Sequence, residues 1–215
     1  MRVSKSSLAL ALLALSFFMT AAVSAQAGTI SGEGWFVSNT TAGNAVPGSI
    51  PLTAPDVTFS VAGINFNSNG SLDYTLGSFL ATGGATGITY GAPADASRVL
   101  SDPSLDEGML FEFTGTAAFT NGQSFTVAHD DGLTAIVAGL TVINDPGPTP
   151  PITTTGTYTG PTGNQSFEFV YGECCTAPAV FQTTLVPPAP EPASLILLGS
   201  GLIGLIGIGR NKLFH

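Results

Sequence analysis

Between residues 28 and 186 there is no lysine and a single arginine, Arg98, against thirteen of the chain's fourteen acidic residues. The formal charge of that stretch is about −12. Binding nucleic acid requires Lys and Arg to displace counterions from phosphates, so that function class is excluded. A P-loop and a lysine Schiff base are excluded with it, for want of the residue. Cysteine is confined to the neighbours Cys174 and Cys175, which rules out a disulfide framework and lacks the ligand spacing of a zinc finger. His129 is the one histidine of the stretch, and no serine sits in a Gly-x-Ser-x-Gly elbow. A long amphipathic helix is also missing. Gly, Ser and Thr are abundant, and apolar residues recur at alternate positions, the period of a strand.

Both ends of the 215-residue chain are apolar, and they are built differently. At the start, Arg2 and Lys5 precede a twelve-residue apolar run, Leu8 to Met19. Val23-Ser24-Ala25 and Ala25-Gln26-Ala27 then offer small residues at −3 and −1, which predicts a cleaved secretory signal over 1–27. A helix needs about 20 residues to span a bilayer, so this run is too short to be retained as an anchor. At the other end, Ala193 to Gly209 is uncharged for 17 residues and is followed by the basic pair Arg210 and Lys212. As a helix it would reach about 26 Å, near the lower limit for a membrane span, with the bases as a cytoplasmic stop. The organisation expected is a signal peptide (1–27), an exported domain (28–186), a proline-rich linker (187–192), a transmembrane helix (193–209) and a basic tail (210–215).

Within the domain, Val57 to Phe66 and Leu72 to Leu80 read as strands around an Asn67–Gly70 turn. Another strand runs from Phe111 to Thr120. Asn121-Gly122 then predicts a type I′ hairpin returning along Gln123 to His129, with Phe125, Val127 and His129 on one face. After Asp130-Asp131-Gly132, Leu133 to Ile143 reads as one strand. A loop follows from Asn144 to Thr155, whose prolines 146, 148, 150 and 151 forbid a strand ladder. Phe167, Phe169 and Tyr171 alternate in a further strand, and Ala179 to Leu185 closes the domain. The fold class expected is all-β, an antiparallel β-sandwich or jelly roll.

Pro190-Glu191-Pro192, the apolar segment and the basic end stand in the order of the PEP-CTERM sorting signal, which the run PEPASLILLGSGLIGLIGIGRNK resembles. That resemblance implies recognition by an exosortase-type membrane protease and cleavage near the motif. Delivery would be through an inner-membrane intermediate to the cell surface or extracellular matrix of a Gram-negative bacterium. Ser124 to Gly139 and Asn164 to Leu185 together resemble the second half of protective-antigen-type and GLEYA-like lectin sandwiches. The resemblance implies Asp130 and Asp131 as Ca²⁺ ligands, with Asn144 and Asp145 in the next loop completing the shell and extracellular polysaccharide as partner. Ca²⁺ does take hard carboxylate and carbonyl oxygens. Asp-Asp-Gly is equally an ordinary β-turn, with Asp bonding nearby amides and Gly supplying positive φ.

Two further features admit more than one chemistry. Adjacent Cα atoms lie about 3.8 Å apart, below the usual disulfide range, so a Cys174–Cys175 bond would be strained; free thiols or a link between chains are the alternatives. His129 beside Asp130, or a pair among Glu112, Glu168 and Glu173, would serve a hydrolase only if the groups faced one another. The readings in order are a non-catalytic exported sandwich with calcium-dependent carbohydrate binding, a structural or adhesive matrix component without a ligand, and a secreted hydrolase.

Overall fold

The computed structural model describes residues 29–68 and 74–185. The signal segment, linker, apolar C-terminal segment and basic tail lie outside the described residues, as do Pro190, Glu191, Pro192, Arg210 and Lys212. Among the described residues no helix is long and apolar enough to cross a membrane.

Eleven strands are formed there: β1 (Ile30–Val37), β2 (Val57–Val61), β3 (Asn65–Asn67), β4 (Thr86–Tyr90), β5 (Gly108–Phe119), β6 (Gln123–Asp130), β7 (Leu133–Val137), β8 (Leu140–Asp145), β9 (Ile152–Tyr158), β10 (Gly163–Glu173) and β11 (Val180–Thr183). All pairings are antiparallel. The strands make a seven-stranded sheet, β4-β2-β1-β5-β10-β7-β8, and a four-stranded sheet, β3-β11-β6-β9. The expected antiparallel β-sandwich is the fold.

Alternation explains the layering. Along β5 and β10, Phe111 pairs with Tyr171 and Phe113 with Phe169, and all four rings point inward. Phe181 on β11 and Phe66 on β3 meet them from the other sheet, with the Tyr171 and Phe181 rings stacked at 4.8 Å and Phe113 4.9 Å from Phe181. Burying one such ring contributes about 1.5–3 kcal/mol, so these rings clamp the two sheets together.

Several expectations need correction. Val57 to Phe66 is not one strand: the chain turns at Ala62-Gly63, so β2 lies in the large sheet and β3 in the small one. Of the strand expected over Leu72 to Leu80, the described part is chiefly helical. Besides α1 (Asn39–Ala42), the chain forms α2 (Leu76–Thr82), opened by a capping box between Thr75 and Ser78. Its apolar residues Leu76, Phe79 and Leu80 follow helical i, i+3, i+4 spacing and cap one end of the core. Phe79 stacks on Phe66 with centroids 5.0 Å apart.

Asn121-Gly122 does not close a hairpin, because β5 and β6 belong to different sheets. Only Gly122 has positive φ (81°), and the Gln123 N–H donates to the Thr120 carbonyl, a type II pattern. Strands leaving for separate sheets have no mutual twist for a type I′ turn to match. Leu133 to Ile143 is itself the hairpin β7–β8, turned by Ala138 and Gly139 with φ of 50° and 77°. The proline loop shrinks to 146–151, leaving Asn144 and Asp145 on β8 and Ile152 to Thr155 on β9.

Candidate functional site

β6 ends at Asp130 in the small sheet and β7 begins at Leu133 in the large one, so Asp130-Asp131-Gly132 is the crossover between layers. The Asp130–Asp131 peptide is cis. Three contacts fix this segment. The Asp131 N–H donates to the Gly172 carbonyl at 3.2 Å, and the Gly172 N–H to the Gly132 carbonyl at 2.9 Å. Gly132 is needed for close approach, since a Cβ there would lie 2.1 Å from the Pro146 carbonyl oxygen.

Both aspartates are buried, with 4% and 5% exposure. The Asp131 carboxylate accepts the Cys174 N–H at Oδ2 (2.8 Å) and the Thr149 N–H at Oδ1 (3.2 Å). Burial nevertheless pushes its carboxyl above the ordinary range. Asp130 rises to about 7, first through burial and then through repulsion from Asp131. The pair lines a cavity of about 360 Å³ with Pro148 to Pro151 and Cys175 to Pro178. No cation answers it: Arg98, the single Lys or Arg among the described residues, pairs with Asp95 (3.4 Å) and Glu107 (2.9 Å) and covers the Phe36 ring.

His129 is fully buried behind the pair. Its Nδ1 lies 2.6 Å from the Asp131 carbonyl, which only accepts, so Nδ1 carries a proton. Nε2 shares a hydrogen bond with Thr154 Oγ1 at 2.8 Å, and Asp145 Oδ2 is 3.8 Å away. Both ring nitrogens are engaged, and the imidazole holds the crossover in place. Asp145 is turned to this histidine and Asn144 pairs with Thr134 across β7–β8; neither lines the cavity with Asp130 and Asp131.

Below the crossover lies a network that the sequence reading missed. Tyr171 Oη bonds both the Asp130 carbonyl and Glu173 Oε2 (2.7 Å), and the Tyr74 hydroxyl donates to Glu173 Oε1 at 2.9 Å. One phenolic hydrogen cannot serve two acceptors. Burial drives the Glu173 carboxyl well above its usual range and favours the neutral acid against the opposing hydrogen bonds from Tyr171 and Tyr74. In that form Oε2 can supply a hydrogen to Tyr171 while Tyr171 donates to Asp130. Its signal was in the sequence: Glu173 continues the inward phase of Phe167, Phe169 and Tyr171. Glu112 and Glu168 occupy the outer face of the same sheet, which separates them from Glu173. Burial, then Glu168 and Glu33, raise the Glu112 carboxyl.

Beyond β10, Cys174 is a buried thiol and Cys175 an exposed one; both are free. Cys175 has φ of 72°, and the Thr176 N–H donates to the Cys174 carbonyl at 2.8 Å, closing a tight three-residue turn.

The fold and site thus define an antiparallel β-sandwich carrying a buried, uncompensated aspartate pair where the chain crosses between sheets. Residues 188–211 match the family model for the PEP-CTERM protein-sorting motif, so the chain carries this signal for export and membrane-anchored sorting. Comparison with curated proteins finds no match. Among solved structures, the chain is similar to a PA14 sugar-binding domain from an RTX adhesin, with 24% identity, TM-score 0.50, and coverage of 74% of this chain and 88% of that one. It is also similar to the PA14 domain of the MpAFP antifreeze protein, with 19% identity, TM-score 0.44, and coverage of 76% and 83%. The first likeness agrees with the sandwich fold.

Proposed function

We propose that this is an exported surface or matrix protein, processed by an exosortase-type membrane protease, whose sandwich binds carbohydrate through a Ca²⁺ ion held by Asp130 and Asp131. The observation that carries the reading is the aspartate pair itself: two buried carboxylates, no facing cation, and an adjoining cavity large enough for a sugar hydroxyl pair. The donor chemistry fits, since hard oxygens from carboxylates, the Thr149 hydroxyl and carbonyls of the proline loop suit Ca²⁺. The ion would supply the missing positive charge and, when bound, coordinate vicinal sugar hydroxyls. The protein's own part is to hold Asp131 by two backbone N–H groups and Asp130 by the tyrosine beneath it. The likeness to a sugar-binding domain supports the ligand class.

A non-catalytic role is favoured because His129 has no free nitrogen and Glu173 is separated from Glu112 and Glu168 by the sheet. The test is thermal melting of the full chain with EGTA or millimolar Ca²⁺, beside a glycan array under both conditions. A melting temperature raised by Ca²⁺, lost in Asp130→Asn, is expected, since a ligand specific to the folded state stabilises it. An unmoved melting temperature would leave the ligand-free structural or adhesive reading in its place.

A further inference from the structure

Successive residues of a strand point to opposite faces, so two adjacent cysteines should present their sulfurs on opposite sides. Here they do not. The strand β10 ends at Glu173, and the positive φ at Cys175 reverses the chain directly after Cys174. The turn is anchored at three places: the Thr176 N–H on the Cys174 carbonyl, the Cys175 N–H on Asn39 Oδ1 (3.3 Å), and the Cys174 N–H on Asp131 Oδ2. As a result Cys174 Sγ, Cys175 Sγ and an Asp131 carboxylate oxygen all lie within 4.8 Å of one another. A non-glycine residue with positive φ is strained and persists where its surroundings impose it.

We infer that Cys174, Cys175 and Asp131 form a second cation site, selective for a thiophilic divalent ion such as Zn²⁺ or Cd²⁺. Two thiolates and one carboxylate match the soft-to-borderline preference of these ions, whereas Ca²⁺ takes oxygen ligands only. Ligand atoms on a tetrahedral zinc stand about 3.3–3.8 Å apart, given bonds of about 2.0–2.3 Å, so small side-chain rotations close the observed triangle. Asp131 and Cys175 also line the cavity, which gives an ion and a further ligand access to the site. Binding displaces one proton from each thiol to solvent, M²⁺ replacing two H⁺, so it strengthens as pH rises. Asp131 belongs to both sites, which makes occupancy by a thiophilic ion antagonistic to calcium. The thiol site does not depend on the calcium reading, because Asp130 has no part in it.

The experiment uses the full chain, reduced and in detergent, titrated with Cd²⁺ while the ultraviolet thiolate-to-metal charge-transfer band is followed. One Cd²⁺ per chain is expected, with affinity weakened at least tenfold in Cys175→Ser, whose side chain is exposed and whose loss does not threaten folding. Asp130→Asn should retain the band. Saturation at one ion per two chains, or a titration that Cys175→Ser leaves unchanged, would overturn the site. A calcium shift that is absent while the cadmium band persists would count against the calcium reading alone.

Discussion

At the residue scale, the most informative side chain is Glu173, whose burial penalises its anion by more than the hydrogen bonds from Tyr171 and Tyr74 favour it. Glu173→Gln keeps one donor and one acceptor, so it should change stability by less than about 1 kcal/mol. Glu173→Ala strands the Tyr74 and Tyr171 hydroxyls and should cost roughly 2–4 kcal/mol by urea denaturation. Asp130 has a pH signature. Its folded-state value, about 7, stands above that of an ordinary carboxyl, so its stabilising contribution is complete near pH 4 and is lost as pH climbs through 7. In EGTA the melting temperature should therefore fall across this window, and Asp130→Asn should flatten the fall. Calcium, competing with the proton, should reverse it.

At the element scale, the β7–β8 hairpin has an evident weakness. Its turn needs left-handed backbone at both central residues, and the first of them is Ala138. Ala138→Asn creates the Asn-Gly pair preferred in type I′ turns and should raise stability by about 0.5–1 kcal/mol, read as a higher denaturation midpoint. Helix α2 depends on its capping box. Thr75→Ala should cost about 1 kcal/mol and loosen the Phe79 stack on Phe66, detectable as faster amide exchange in the helix. Thr75-x-x-Ser78 with Leu76, Phe79 and Leu80 was a readable helix signature. Strand-like alternation in the preceding residues obscured it, and a seven-residue helix gives too few turns for periodicity to prevail.

For the whole molecule, the aromatic layer decides cohesion. Phe113 touches Phe59 (5.6 Å) and Phe66 (5.5 Å) as well as Phe181 across the sandwich. Phe113→Ala should cost about 3–5 kcal/mol in a single cooperative transition, because it removes packing from both sheets at once. Sorting is governed elsewhere in the chain. Replacing Pro190, Glu191 and Pro192 by alanine should leave an unprocessed, membrane-associated protein while the sandwich keeps its melting temperature, as fractionation and a melt of the same sample would show.

What the sequence determined by itself was compositional or strictly periodic: the strand period, the sorting motif as an ordered run, the acidic charge, and Asp130-Asp131 as a carboxylate pair. Even the inward phase of Phe125, Val127 and His129 was set by alternation alone. Partnership between distant segments was decided only in three dimensions. Whether Asn121-Gly122 joins paired strands, whether Val57 to Phe66 stays in one sheet, and whether Asp145 faces a cavity or a histidine depend on which sheet each strand enters. That choice is made by the burial of many rings together. The Tyr74–Glu173 bond spans 99 positions, and no local pattern records such a distance.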